Sequence, residues 1–113
     1  MVAGSDSEPA RRAFIQESTV LALQQSVSSL EKVRIPVIAA INGLCIGAGV
    51  DLASTADIRI CSKTAKFTIK EVDIGLAADI GTIQRFQKVV GNDSWTRELA
   101  YTARFFTPEE CLT

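Results

Sequence analysis

Apolar residues recur with gaps near three and four over residues 9–33: Phe14, Val20, Leu21, Leu23, Val27 and Leu30. That period predicts an amphipathic helix acting as a plain packing element, though the Ser26 to Ser29 stretch weakens it. Pro9 suits its first position, because its fixed φ is already helical. The preceding residues 1–8, MVAGSDSE, are small and polar and are expected to form a disordered tail. The folded domain is expected over 9–113.

Arg34-Ile35-Pro36 ends the helix, since the residue before proline avoids the α region. Val37 to Ile41 is then a short unbroken apolar run, which predicts a strand buried on both faces. Asn42-Gly43 breaks it. Gly47-Ala48-Gly49 opens a second helix carrying Val50, Asp51, Leu52 and Ala53. Ala56 to Cys61 reads as another buried strand and Lys66 to Ile69 as a short one. Residues 70–78 are mostly apolar without a clear period, which fits a structured loop. Asp79 to Val90 reads as a helix closed by Gly91 at its C-cap. Asn92 or Asp93 caps the next helix, to about Arg104.

Thr107-Pro108-Glu109-Glu110 carries the signals of a helix start: Thr at N-cap, Pro at N1 and Glu at N3. It stands so near the last residue that the domain is expected to continue beyond Thr113. The order helix, strand, helix, strand, strand, helix, helix is that of an α/β fold. Two short strands joined by a helix favour a parallel, right-handed crossover.

Composition narrows the chemistry. With 47% hydrophobic residues in 113, the chain can form one globular domain. A net charge of −1 with dispersed basic residues gives no electrostatic case for nucleic acid or an anionic membrane. No apolar run is long enough to span a bilayer, and the N-terminus lacks the apolar core of a signal peptide. Histidine is absent. That excludes Ser-His-Asp and Cys-His catalysis as well as His-based metal sites. Acid–base chemistry falls to carboxylates, Lys, Tyr or Cys. Cys45, Cys61 and Cys111 are widely spaced and odd in number, which fits reduced intracellular thiols.

Chemistry concentrates between Ile35 and Asp79. Glycines between a strand and a helix allow positive φ and close approach to the backbone. The first N–H groups of a helix lack internal partners, so such a turn can receive an anion or a developing oxyanion. It can equally be a tight connection with small residues. Its spacing matches neither GxGxxG nor GxxxxGK[ST], which disfavours a nucleotide loop. Asp51 lies among Val50, Leu52 and Ala53, where burial would raise its pKa. It is either an acid–base group or a hydrogen-bonded structural one. Glu71 enters the apolar loop. Asp79, taken alone, reads best as a helix N-cap. Asp73 and Asp57 read as turn and strand-start residues, with Arg59 or Lys70 as available partners. Two carboxylates in one apolar pocket push their pKa values apart, leaving one base and one acid.

The segment from Pro36 to about Glu110 resembles the crotonase, or enoyl-CoA hydratase/isomerase, superfamily. The residues that carry the resemblance are PVIAAINGLCIGAGVDLASTADIRICS. Within that superfamily, IKEVDIGLAADIGTIQR is similar to the Δ3,5-Δ2,4-dienoyl-CoA isomerases. The resemblance implies a spiral of ββα units, here partial, usually assembled as trimers or dimers of trimers. It implies a fatty acyl-CoA substrate of β-oxidation, in a peroxisome or mitochondrion, and neither a metal nor a redox cofactor. Ala48 would give one backbone N–H of an oxyanion hole, at a position where relatives usually have Gly. Gly47, Gly49 and Leu76 would contact the substrate. Asp79 would take a proton from C2, Glu71 would return one at C6, and Asp51 would be a polar accessory. Relatives of this kind are more than twice as long, so the chain resembles the middle of the enzyme, and alone it is expected to be weak or inactive. Two other readings stand beside this one. One is an enoyl-CoA hydratase or Δ3-Δ2-enoyl-CoA isomerase. The other is an inactive module for oligomerisation or interaction.

Overall fold

The computed structural model describes residues 8–112. The expected tail therefore lies outside the described residues, except Glu8, which is the exposed N-cap of α1 (Pro9–Ser28). The predicted first helix is present, and its last turn tightens into a 3-10 turn at Ser29–Lys32. The chain then builds two similar units. The first comprises β1 (Ile38–Ile41), β2 (Leu44–Ile46) and α2 (Ala48–Thr55). The second comprises β3 (Ile58–Cys61), β4 (Lys66–Thr68), a 3-10 turn at Glu71–Ile74 and α3 (Thr82–Val90). Helices α4 (Asp93–Thr102) and α5 (Pro108–Leu112) follow.

The two units stack in register. β1 pairs in parallel with β3, from Ile38 beside Ile58 to Ile41 beside Cys61. β2 pairs in parallel with β4, from Leu44 beside Lys66 to Ile46 beside Thr68. The chain leaves one sheet for the other at Gly43, whose φ of +81° makes the corner. Strand, corner, strand and helix, repeated once, form a ββα spiral, and the predicted parallel α/β crossover is observed. β2 was not foreseen: its three residues sit between glycines and read as part of the turn.

The core lies between α2, β4, α3 and α4. Phe106 is at its centre and 1% exposed. It stacks on Phe67 at 5.4 Å, meets Trp95 edge-on at 5.4 Å and tilts against Phe86 at 5.7 Å. Offset and edge contacts of this kind suit the ring quadrupoles. Phe67 and Phe106 also exchange both backbone hydrogen bonds, at 2.9 and 3.0 Å. Asn92 caps α4 by accepting from the Trp95 N–H at 2.9 Å. The predicted capping box closes α5, where Thr107 N–H donates to Glu110 and Glu110 N–H donates to Thr107 Oγ1. Lys70 pairs with Asp73, and Asp57 accepts from the Val37 N–H beside β3.

Two expectations are corrected. The strands predicted to be buried on both faces are not: Ile38, Ile58 and Ile60 are 60, 51 and 57% exposed. Two strands make a narrow sheet, and no described element covers its outer side. α1 is likewise not packed along its length. Val27 is its buried residue, while Phe14, Ile15, Leu21 and Leu23 are exposed. Its apolar residues spread around the helix, and it meets the rest of the chain only near its C-terminal end. No helix among the described residues is long and apolar enough to cross a membrane.

Candidate active site

The glycine turn bends toward the second unit. Gly47 is the N-cap of α2, at φ +53°, and its N–H donates to Thr68 O at 2.9 Å. A side chain there would collide with Glu71, since a Cβ would stand 2.9 Å from Oε1. The absence of a side chain at Gly47 therefore lets the Glu71 carboxylate rest on the turn. Ala48 follows at the first helical position. Its N–H has no partner within the helix and no backbone acceptor elsewhere among the described residues. Gly49 faces the other way, where a Cβ would meet Cys45 Sγ at 3.3 Å.

Asp51 is one turn into α2 and fully buried. Its Oδ1 accepts a 2.6 Å bond from the Thr82 hydroxyl, which ties α2 to the start of α3. Its Oδ2 has no partner among the described residues, and neither does Glu71 Oε2. Burial pushes the Glu71 carboxyl above its ordinary value. The charges of Asp51 and Asp79 push the same way, while the backbone N–H groups of Glu71 and Lys70 oppose them.

Asp79 is not the cap of α3. That helix begins at Thr82, with Gly81 as its N-cap and no side-chain cap. Asp79 sits in the turn before it, exposed, and among the described residues its carboxylate is in no hydrogen bond or ion pair. The turn is held by the backbone instead: Asp79 O accepts from Gln24 Nε2 of α1 at 2.6 Å, and Asp79 N–H donates to Ala77 O at 2.9 Å. Leu76 is 59% exposed in the same loop, pinned by its N–H to Glu71 O at 3.0 Å.

Ala48, Asp51, Glu71 and Asp79 thus come from two stacked units and converge around one turn. The arrangement offers a backbone donor, a carboxyl whose pKa is raised by burial, an exposed carboxyl group and a fully buried one. Together these can bind an anion and move a proton. Among the described residues no group of three or more His, Cys, Asp or Glu is placed to hold a metal ion. An apolar cleft of about 720 Å³, lined by Val50, Ile60, Phe67, Phe86, Val89 and Leu112 among others, contains none of Asp51, Glu71 and Asp79. Thr82, Gly81, Gln24 and Arg85 are the site residues that sequence reasoning missed. Only the Gly81-Thr82 pair had a local signal, as a turn ahead of a helix.

Residues 2–113 match the Enoyl-CoA hydratase/isomerase family model. The chain is 49% identical over 108 residues to the mitochondrial Delta(3,5)-Delta(2,4)-dienoyl-CoA isomerase of Mus musculus, covering 96% of this chain and 33% of that one. It is 47% identical over 107 residues to the peroxisomal enzyme of that name from Arabidopsis thaliana, covering 95% and 36%. The fold superposes on an enoyl-CoA hydratase/isomerase from Cupriavidus metallidurans CH34 with a TM-score of 0.81 at 30% identity, covering 93% of this chain and 38% of that one. It also superposes on a Thermobifida fusca YX protein assigned as an enoyl-CoA hydratase and solved in complex with acetoacetyl-CoA. There the TM-score is 0.81 at 34% identity, covering 97% and 44%. The chain spans about a third of the length of the curated relatives it matches. By its sequence, its stacked ββα units and these matches, the chain belongs to the enoyl-CoA hydratase/isomerase, or crotonase, family.

Proposed function

We propose that the chain carries the proton-transfer centre of an isomerase that converts 3,5-dienoyl-CoA into 2,4-dienoyl-CoA. One observation carries this reading. Asp79, whose carboxylate is in no hydrogen bond or ion pair among the described residues, stands within electrostatic reach of Glu71, whose carboxyl is pushed above its ordinary value by burial. A base and an acid are thereby separated by environment rather than by residue type. Similarity to the dienoyl-CoA isomerases of mouse and Arabidopsis supports the choice of reaction.

In this mechanism Asp79 removes a proton from C2. The C2–H electron pair becomes the C2–C3 double bond, and the C3–C4 pair moves to C4–C5. The C5–C6 pair takes a proton at C6 from Glu71. The charge that builds on the thioester oxygen between the two transfers is met by the Ala48 N–H at the head of α2, where the helix dipole also favours it. Gly47 and Leu76 shape the wall beside the acyl chain, and Gly49 closes the turn against Cys45. Asp51 is the buried polar support. The shift is redox-neutral, so it requires no redox cofactor. The protein is expected to act on acyl-CoA, in a mitochondrion or peroxisome as its relatives' names state, and to work as a trimer or hexamer.

The test is ultraviolet absorbance of the purified natural protein with a 3,5-dienoyl-CoA and, separately, a 2-enoyl-CoA. Absorbance gained from the new 2,4-conjugated diene supports the isomerase. Turnover of the 2-enoyl-CoA alone would assign a hydratase instead. No turnover of either would favour an interaction module.

A further inference from the structure

Among the described residues, three buried side-chain polar atoms have no hydrogen-bond partner: Asp51 Oδ2, Glu71 Oε2 and Arg85 Nη1. All three surround the candidate site. Two belong to the acids already described. The third belongs to a cation with no part in the proposed proton transfers.

Arg85 is unusually well fixed. Its side chain is 12% exposed. Nε and Nη2 donate to the two oxygens of Glu31 at 2.8 and 2.9 Å, and Nη2 also donates to Ser28 Oγ at 2.7 Å. A planar guanidinium held on one edge by a carboxylate has its orientation set by that fork. The remaining nitrogen, Nη1, points inward to Gly81. A Cβ at residue 81 would stand 1.8 Å from Nη1 and 3.7 Å from Asp51 Oδ1. The guanidinium and the buried carboxylate therefore face each other across the space that any other residue at 81 would fill, without forming an ion pair. Gly81 also has φ +146°, a conformation that L side chains rarely adopt.

Asp51 needs such a neighbour. It is fully buried and the Thr82 hydroxyl satisfies only one of its oxygens. Burying a charged group without a partner is costly, so a cation facing it is stabilising. The charged groups acting here are Arg85 from α3 and Glu71 from the 3-10 turn after β4. Asp79 acts on Glu71 from the loop before α3. Glu31 stands behind Arg85, with Lys32 and Lys88 near it.

We propose that Arg85 is a positioning residue: its guanidinium, clamped by Glu31 and Ser28 and admitted by Gly81, sets a fixed positive charge facing the Asp51 carboxyl and so leaves Glu71 as the acid that carries the transferable proton. Only the last clause rests on the isomerase reading. The link between Arg85 and Asp51 stands on geometry alone.

The test is a 13C NMR titration of the Asp51 carboxyl carbon in the natural protein, in Arg85→Met, in Arg85→Gln and in Arg85→Lys, with circular dichroism to establish folding. The Asp51 midpoint should rise by about one pH unit or more in the two neutral variants, and by less in Arg85→Lys, which keeps a charge. Arg85→Gln retains polar bulk and carries the test if Arg85→Met does not fold. An unmoved Asp51 midpoint in either folded neutral variant overturns the assignment, whatever the activity. An inactive natural protein would defeat the proposed reaction and leave the titration result intact.

Discussion

The acid-bearing turn and the β1–β3 face come from the same two stacked units, yet the chain treats them differently. At the turn, contacts join distant parts of the chain: Gly47 against Glu71, Thr82 on Asp51, Gln24 on the Asp79 carbonyl. On the β1–β3 face, Ile38, Ile58 and Ile60 are each more than half exposed. The first region shows what two ββα units can complete by stacking. The second shows what they leave open: a narrow sheet whose apolar side chains stay largely exposed. Bringing the acids together needs only adjacent units, whereas full burial of the sheet needs a further layer.

The largest expected effect bears on the turn. Asp79→Asn keeps the shape and removes the proposed base, so on the proposed mechanism kcat on a 3,5-dienoyl-CoA should fall by about 10² to 10⁴, with an unchanged circular dichroism spectrum. A smaller loss would place the base elsewhere. Stability should then separate the two regions. Phe106→Ala should cost about 3–5 kcal/mol in urea unfolding, because Phe106 is buried among three aromatic rings. Ile58→Ala, on the open face, should cost no more than about 0.5 kcal/mol. Comparable losses at both positions would mean that the β1–β3 face is covered in solution.

The smallest effect concerns pH. Folding raises the Glu71 carboxyl above its ordinary value, mainly through burial. The unfolded chain therefore releases this proton at lower pH than the folded one. The contribution of Glu71 to stability is complete below the ordinary carboxylate value, and it is lost as pH rises through the higher folded value. Glu71→Gln removes that loss. Thermal melts should show the variant gaining on the natural protein as pH rises from about 4 toward neutrality. A constant difference across that range would mean that the carboxyl is not perturbed.

Much of this was legible in order along the chain. The helix starts at Pro9 and Thr107, the Asn92 cap and the glycine turn are local signals, and each is where it was expected. Burial was not legible. Val37 to Ile41 is apolar whether or not anything covers it, and periodicity cannot tell a covered strand from an open one. β2 escaped because three residues between glycines carry no period of their own. Asp79 reads as a cap in sequence, but Gly81 takes the capping position, and this leaves the carboxylate unbonded.

The sequence alone determined the residue types at the turn: a glycine able to hold positive φ, an N–H at a helix start, three carboxylates and no histidine. These follow from local backbone freedom and side-chain chemistry, which act over a few residues. Only the tertiary structure decided how the carboxylates differ. The stacking of α3 beside α2 buries Asp51, sets Glu71 on Gly47 and leaves Asp79 outside. It also brings Arg85, 34 residues from Asp51, into the space left by Gly81. A carboxylate's proton affinity depends on what surrounds it in space, and that is fixed only when distant parts of the chain pack together.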